Sequence, residues 1–285
     1  TFSVGFEDDE FDETAFQQQM VRGLGTDHEG ISVTRAMIGE IFPDVVRHTE
    51  RPVLRTAPAP LFALSGLVRR RGYKVVLTGE GADEVVAGYD IFKEAKLRRF
   101  CARQPGSRLR PQLFRRLYPY LPGLQNQSQA YLEAFFKVGL ASTDDPLYSH
   151  LPRFRTAAGT KRFFSNDVKA ELKGYDALED LRDSLPADFG RWHPLSQAQY
   201  LEAGHLLPGY ILSSQGDRMA MANSVEGRFP FLDHRLLEFA ATIPPISRKG
   251  TAINIRRFAQ KRLSLEDLVD RGSADHETID FLAEA

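Results

Sequence analysis

The chain has 285 residues, 42% hydrophobic and 26% charged, the balance of a globular enzyme that can bury one large core or two modest ones. Its 37 Lys and Arg against 38 Asp and Glu leave a net charge of −1, which excludes a long-range field that would gather nucleic acid or anionic lipid. A single cysteine, Cys101, excludes an internal disulfide and a multi-thiolate zinc site. It fits a reducing compartment. No apolar run reaches the roughly 18 to 20 residues of a membrane helix and no charged-then-apolar leader opens the chain, so a cytoplasmic protein is the expectation. Thr1 stands directly before a strand pattern, which reads as a fragment.

Phe2, Val4 and Phe6 alternate with Ser3 and Gly5, the period of a half-buried strand, and an acidic loop follows from Glu7 to Glu13. Asp12 is placed to cap a helix whose Phe16, Met20 and Leu24 recur every four residues before Gly23 and Gly25 end it. A second strand is expected over His28 to Val33. Thr34 is the candidate N-cap of a helix that Pro43 should interrupt. Ala63, Leu64, Leu67 and Val68 mark another helix closing at Gly72, and a strand follows from Tyr73 to Leu77. Strands alternating with helices predict an α/β fold with a parallel sheet and its active edge at the C-terminal ends of the strands.

From Ile91 onward no strand is expected, and a mostly helical half follows, broken at Pro105, Pro111, Pro119 and Pro122. Between Lys93 and Arg116 nine Lys or Arg face one acid, Glu94. This pattern suits a solvated amphipathic helix better than a nucleic-acid face. The expected parts are an α/β part over 1–90, a helical part over 91–263 and an acidic tail over 264–285.

Chemistry concentrates at two places. Val75 to Leu77 run into Thr78-Gly79-Glu80-Gly81-Ala82-Asp83-Glu84, an apolar strand followed by two glycines and three carboxyls. Glycines let backbone N–H groups approach a phosphate, and carboxylates beside them hold a divalent cation or an amino group. A strand-to-helix turn with solvated acids has the same local pattern, so the turn alone leaves both readings open. The second place runs from Ser214 to Asp233 and carries Asp217-Arg218 and Glu226-Gly227-Arg228 in what reads as a helix before the Pro230 turn. Arginine forks there suit carboxylate recognition or equally brace a helix end. His28 reads as a hydrogen-bonded structural histidine, and the spacing of His193, His234 and His276 does not suit a metal.

Together, Thr78 to Glu84, the run Ser214 to Asp233, Phe2 to Phe6 and Leu24-Gly25-Thr26-Asp27-His28 resemble the synthetase domain of glutamine-dependent asparagine synthetases. The resemblance extends to about Pro244. It implies a PP-loop fold, of adenine nucleotide α-hydrolase type, and ATP-dependent amidation of aspartate through a β-aspartyl-adenylate. ATP and Mg²⁺ are the implied cofactors, and ammonia would come from a glutaminase domain outside these residues. By the same resemblance Val4, Thr78, Gly79 and Gly81 fall where the nucleotide binds. Glu80 falls at the position important for adenylate formation, and Asp83 at the acid that helps hold Mg²⁺-pyrophosphate. Glu84 faces the amino-acid substrate, and Asp217, Arg218, Glu226 and Arg228 lie near the acceptor. No nucleic acid and no membrane are implied as partners, and a homodimer is compatible.

The match breaks in three places. The family's Ser-Gly-Gly-x-Asp-Ser loop has no counterpart here, and Ser65-Gly66-Leu67 lacks its second glycine and its aspartate. The glutaminase domain is absent. Ala252 stands where the family carries a lysine, with Lys249 three residues earlier. These departures keep two alternatives open: amidation of a different carboxylate, and a catalytically silent binding module.

Overall fold

The computed structural model describes residues 1–7, 12–53 and 55–245. Lys249, Ala252 and the acidic tail lie outside the described residues. The chain forms two compact units, the first built from Thr1–Gly88 and the residues from Glu202 onward, the second from Tyr89–Leu201. Its class is mixed α/β with small parallel sheets.

In the first unit β1 (Phe2–Phe6) pairs in parallel with β2 (Glu29–Val33), with Val4 opposite Ile31. The connection is α1 (Thr14–Leu24), whose Phe16, Met20 and Leu24 are all exposed. Asp12 does not cap it: its Oδ1 accepts from the Phe6 N–H at 3.1 Å and the Thr14 hydroxyl at 2.6 Å, tying the strand's end to the helix start. Thr34 does cap α2 (Arg35–Thr49), accepting from Met37 N at 3.0 Å. Pro43 leaves α2 unbroken, contrary to expectation. A proline costs an interior helix about 3 kcal/mol, but the turn beyond it carries Val45, wholly buried with Ala59 and Met219 and flanked by Ile41 and Phe42. Packing outweighs the missing hydrogen bond. Next come α3 (Pro58–Arg70), with proline in its first turn, and Gly72 at φ 84, after which β3 (Val75–Leu77) leads into α4 (Ala82–Val86).

Among its described residues the second unit has helices and no strand: α5 (Asp90–Ala102), α6 (Pro122–Gln125), α7 (Gln129–Phe136), α8 (Leu151–Ala158), α9 (Asn166–Glu171), α10 (Ala177–Asp183) and α11 (Pro194–Leu201), joined by turns and irregular segments. One core cluster joins Cys101, Phe114, Leu132 and Phe136, another Leu147, Leu151, Phe189 and Leu201. Burial pushes the Cys101 thiol up to about 11, so it is an inert packing residue. In the basic stretch Lys93, Lys96, Arg103, Arg108, Arg115 and Arg116 are exposed, as the solvated reading expects, and Arg98 is the departure from it. Arg98 is 0% exposed and donates to the carbonyls of Phe136 (2.9 Å), Tyr148 (2.7 Å) and Val138 (2.6 Å), with its guanidinium 4.3 Å from the Tyr148 ring centre. Glu94, also buried, accepts both Arg153 terminal nitrogens and the Tyr118 hydroxyl. Arg98 thus satisfies carbonyls at the end of α7 and in the segment beyond it, while Glu94 is satisfied by Arg153 and Tyr118.

The chain re-enters the first unit through a π-helical run, Glu202–Asp217, which continues into α12 (Arg218–Ala222). Ser65 fastens α12 to α3, donating to Met219 O at 2.7 Å, while Asn223 donates to Ser65 Oγ (2.9 Å) and Phe62 O (3.1 Å). Then comes a strand where a helix was expected: β4 (Glu226–Arg228), paired in parallel with β3 so that Leu77 faces Arg228. Three residues with charged ends and a central glycine carry no strand signal, and the pairing comes from β3. A turn at Pro230–Leu232 and α13 (His234–Thr242) complete the described chain.

Candidate active site

The turn between β3 and α4 is held by the returning segment. Thr78 N donates to Arg228 O at 3.0 Å, and Ala82 N to Gly79 O at 3.1 Å. Gly81 sits at φ 92, and a Cβ there would come within 2.3 Å of Leu232 Cδ2, so both backbone and space require glycine. Two polar atoms in this turn, Thr78 Oγ1 and Glu80 Oε2, are buried without a hydrogen-bond partner. Each such group costs about 1–3 kcal/mol unless something satisfies it. A site that awaits a donor or a cation has this signature.

Asp83 and Glu84 open α4, the first exposed and the second 3% exposed. Although the residue as a whole is exposed, partial burial of the Asp83 carboxyl against Gly88, first, and the nearby Glu13, second, raise its pKa above the usual value. Glu13, from the segment after β1, is a neighbour of Asp83 that sequence reading passed over as part of an acidic run. The raised pKa means that ionising Asp83 costs folding stability, a cost absent below the unfolded value of 3.8 and fully present once pH exceeds the folded value. Asp83→Asn should therefore be more stable than the parent at about pH 7 and equal to it at about pH 3. Thermal melts at the two pH values check this.

The second cluster divides. On β4, Arg228 Nε donates to Glu226 Oε1 at 2.8 Å, and both side chains are exposed beside the strand that feeds the turn. Arg218 pairs instead with Glu50, a left-handed residue at φ 55 ending α2, and Asp217 is exposed at the start of α12. The backbone thus joins the Thr78–Glu84 turn to β4 through the β3–β4 pairing and the Thr78 N–Arg228 O bond, whereas Arg218 faces α2. Val4 lies in the β1–β2 sheet, where its carbonyl accepts from Gln17 Nε2 at 2.8 Å. His28, half-buried, hydrogen-bonds through both ring nitrogens, to Thr1 Oγ1 (3.1 Å) and Ser3 Oγ (3.2 Å).

These residues fit a nucleotide and its cation. The unpartnered Thr78 and Glu80 oxygens give a bound group something to satisfy. No group of three or more His, Cys, Asp or Glu among the described residues could hold a metal unaided. Magnesium suits such a place, because it takes one or two carboxylates and completes its shell with phosphates and water.

The asparagine synthase family matches residues 1–271. Amidase chyE of Penicillium rubens is 32% identical over 93% of this chain and 40% of its own length. Amidase chry2 of Gibberella zeae is 29% identical over 82% of the chain and 35% of its own. Asparagine synthetase [glutamine-hydrolyzing] 1 of Bacillus subtilis is 27% identical over 95% and 41%. The chain spans about two-fifths of the length of the curated relatives it matches. Among the described residues no helix is long and apolar enough to cross a membrane. With the glycine-acid turn after β3 locked to the returning Glu226–Arg228 strand, and the match covering nearly the whole sequence, the chain belongs to the asparagine synthase family.

Proposed function

We propose that this chain is the adenylating domain of an ATP-dependent, amide-forming ligase with a PP-loop fold. An acceptor carboxylate oxygen attacks the α-phosphorus of ATP as the bond to pyrophosphate breaks. Ammonia then attacks the acyl carbon, loses a proton, and AMP leaves with the former carboxylate oxygen. In aspartate the acceptor would be the side-chain carboxylate, with the ammonia drawn from a glutaminase domain.

One observation carries this reading: unsatisfied Thr78 and Glu80 oxygens at the C-terminal end of a parallel strand, beside Arg228. That end is where open α/β sheets bind their ligands. Thr78, Gly79 and Gly81 would contact the phosphates, with Val4 against the adenine, and Glu80 would act during adenylate formation. Asp83 would hold a magnesium ion, which when bound neutralises the departing pyrophosphate. Glu84, Asp217, Arg218, Glu226 and Arg228 would bind or frame the acceptor. Arg218 is engaged by Glu50 at the end of α2, whereas Arg228 with Glu226 offers a fork oriented by an acid.

A second reading keeps the chemistry and changes the acceptor. The amidase names of two matched relatives favour it. ATP/pyrophosphate exchange in the protein, supplied in turn with aspartate and with a panel of other carboxylic acids, separates the two. Stimulation by aspartate alone supports the first reading and stimulation by another acid the second. Absence of exchange with every acid, together with no ATP binding by calorimetry, removes both.

A further inference from the structure

Helix α4 ends in a turn that folds back over its own first acid. Ala87, buried and left-handed at φ 58, and Gly88 both donate their N–H to the carbonyl of Asp83, Gly88 at 2.9 Å. The side chain follows the same path. A Cβ built on Gly88 would lie 1.9 Å from Asp83 Oδ1, 2.9 Å from its Cγ and 3.3 Å from its Cα. The Asp83 carboxyl fills the volume that any other residue at 88 would occupy. Neighbouring glycines behave differently: Gly79 has open space, and Gly81 is crowded by Leu232 rather than by an acid.

We propose that Gly88 is a positioning residue, whose missing side chain leaves the space that the Asp83 carboxylate occupies, and so sets the direction from which that carboxylate meets a divalent cation. The inference rests on the reading of Asp83 as a metal-binding acid. Gly88 is not left-handed, so alanine meets no backbone penalty there and the contact with Asp83 alone is perturbed. The carboxyl is the far end of a short side chain and can rotate away, whereas the helix backbone at Asp83 Cα cannot. Gly88→Ala should therefore fold and lose the carboxylate's placement.

Manganese binding in the presence of ATP, followed by electron paramagnetic resonance, tests this in the protein and in Gly88→Ala, Asp83→Asn and the double variant. Residues that orient a metal ligand typically change affinity about 10–100-fold. Gly88→Ala should weaken Mn²⁺ binding by about tenfold or more, with ATP binding in EDTA and the thermal midpoint near those of the parent. The double variant should be no worse than Asp83→Asn, since both act through one carboxylate. A crystal structure of Gly88→Ala should show the Asp83 side chain in another rotamer.

Unchanged Mn²⁺ affinity in Gly88→Ala, while Asp83→Asn weakens it, overturns the role of Gly88 and leaves Asp83 as a ligand. An Asp83 carboxyl in its original place in the variant crystal does the same. Unchanged affinity in Asp83→Asn removes the metal reading of Asp83, and the role of Gly88 with it.

Discussion

Replacing Glu80 by glutamine should lower ATP/pyrophosphate exchange by about 10²–10³-fold, the loss seen when one preorganised charged or polar group is removed from a reacting centre. Size and shape are conserved, so the effect isolates charge. Glu80 Oε2 is buried and unpartnered, which makes the carboxyl a burden on the protein without substrates. The amide should accordingly leave stability unchanged or raise it while activity falls, the opposite of what a folding defect produces. Chemical denaturation alongside the exchange assay reads both quantities. Exchange at the parental rate in Glu80→Gln would remove the assignment of Glu80 to adenylate formation, whatever acceptor the protein uses.

The largest expected effect on stability lies in the second unit. Arg98→Met keeps the length and apolar stem of the side chain but removes every donor, leaving the carbonyls of Phe136, Val138 and Tyr148 without the bonds that Arg98 supplies. Unsatisfied buried groups cost about 1–3 kcal/mol each, so a loss of about 3 kcal/mol or more is expected, read as a fall in the urea midpoint. Burial already lowers the Arg98 pKa, a sign that the guanidinium is kept for its geometry at some electrostatic cost. Arg98→Lys should recover only part of the loss, because an ammonium cannot match the fork that reaches three carbonyls. A midpoint unchanged in Arg98→Met would mean that those carbonyls find other donors.

Both sites illustrate what one-dimensional reading can and cannot reach. The strand at Val75 to Leu77, the glycine-acid turn after it and the cap at Thr34 were legible because each rests on neighbours within a few residues. The resemblance carried by Thr78 to Glu84 and Ser214 to Asp233 was legible for the same reason. Asp12 was misplaced because Glu13, not Asp12, is the N-cap, and the Asp12 carboxylate spans from the Phe6 N–H at the strand's end to Thr14, the first residue of α1. Pro43 reads as a breaker until Val45 is seen against Ala59 and Met219. The strand at Glu226 to Arg228 exists only as the partner of β3, and an isolated Glu-Gly-Arg gives no hint of it. The buried Arg98 and Glu94 look like surface charges, because composition records charge but not the carbonyls and arginine waiting for it. In each failure the deciding contact lies far away along the chain or inside an irregular segment.

The pairing of β3 with β4 has a consequence for biosynthesis. Leu77 and Arg228 lie about 150 positions apart, and contacts of such high sequence separation form late because loop closure must precede their reward. A ribosome at about 5–20 residues per second completes the Thr78–Glu84 segment many seconds before its lock emerges. Until Arg228 O meets Thr78 N and Leu232 reaches Gly81, the nascent polypeptide carries the acids without the scaffold that aims them. Competence to capture a nucleotide would thus be gained only once residues 226 to 232 have left the ribosome, and termination before residue 226 would yield a product that has the signature residues yet no organised place for a ligand.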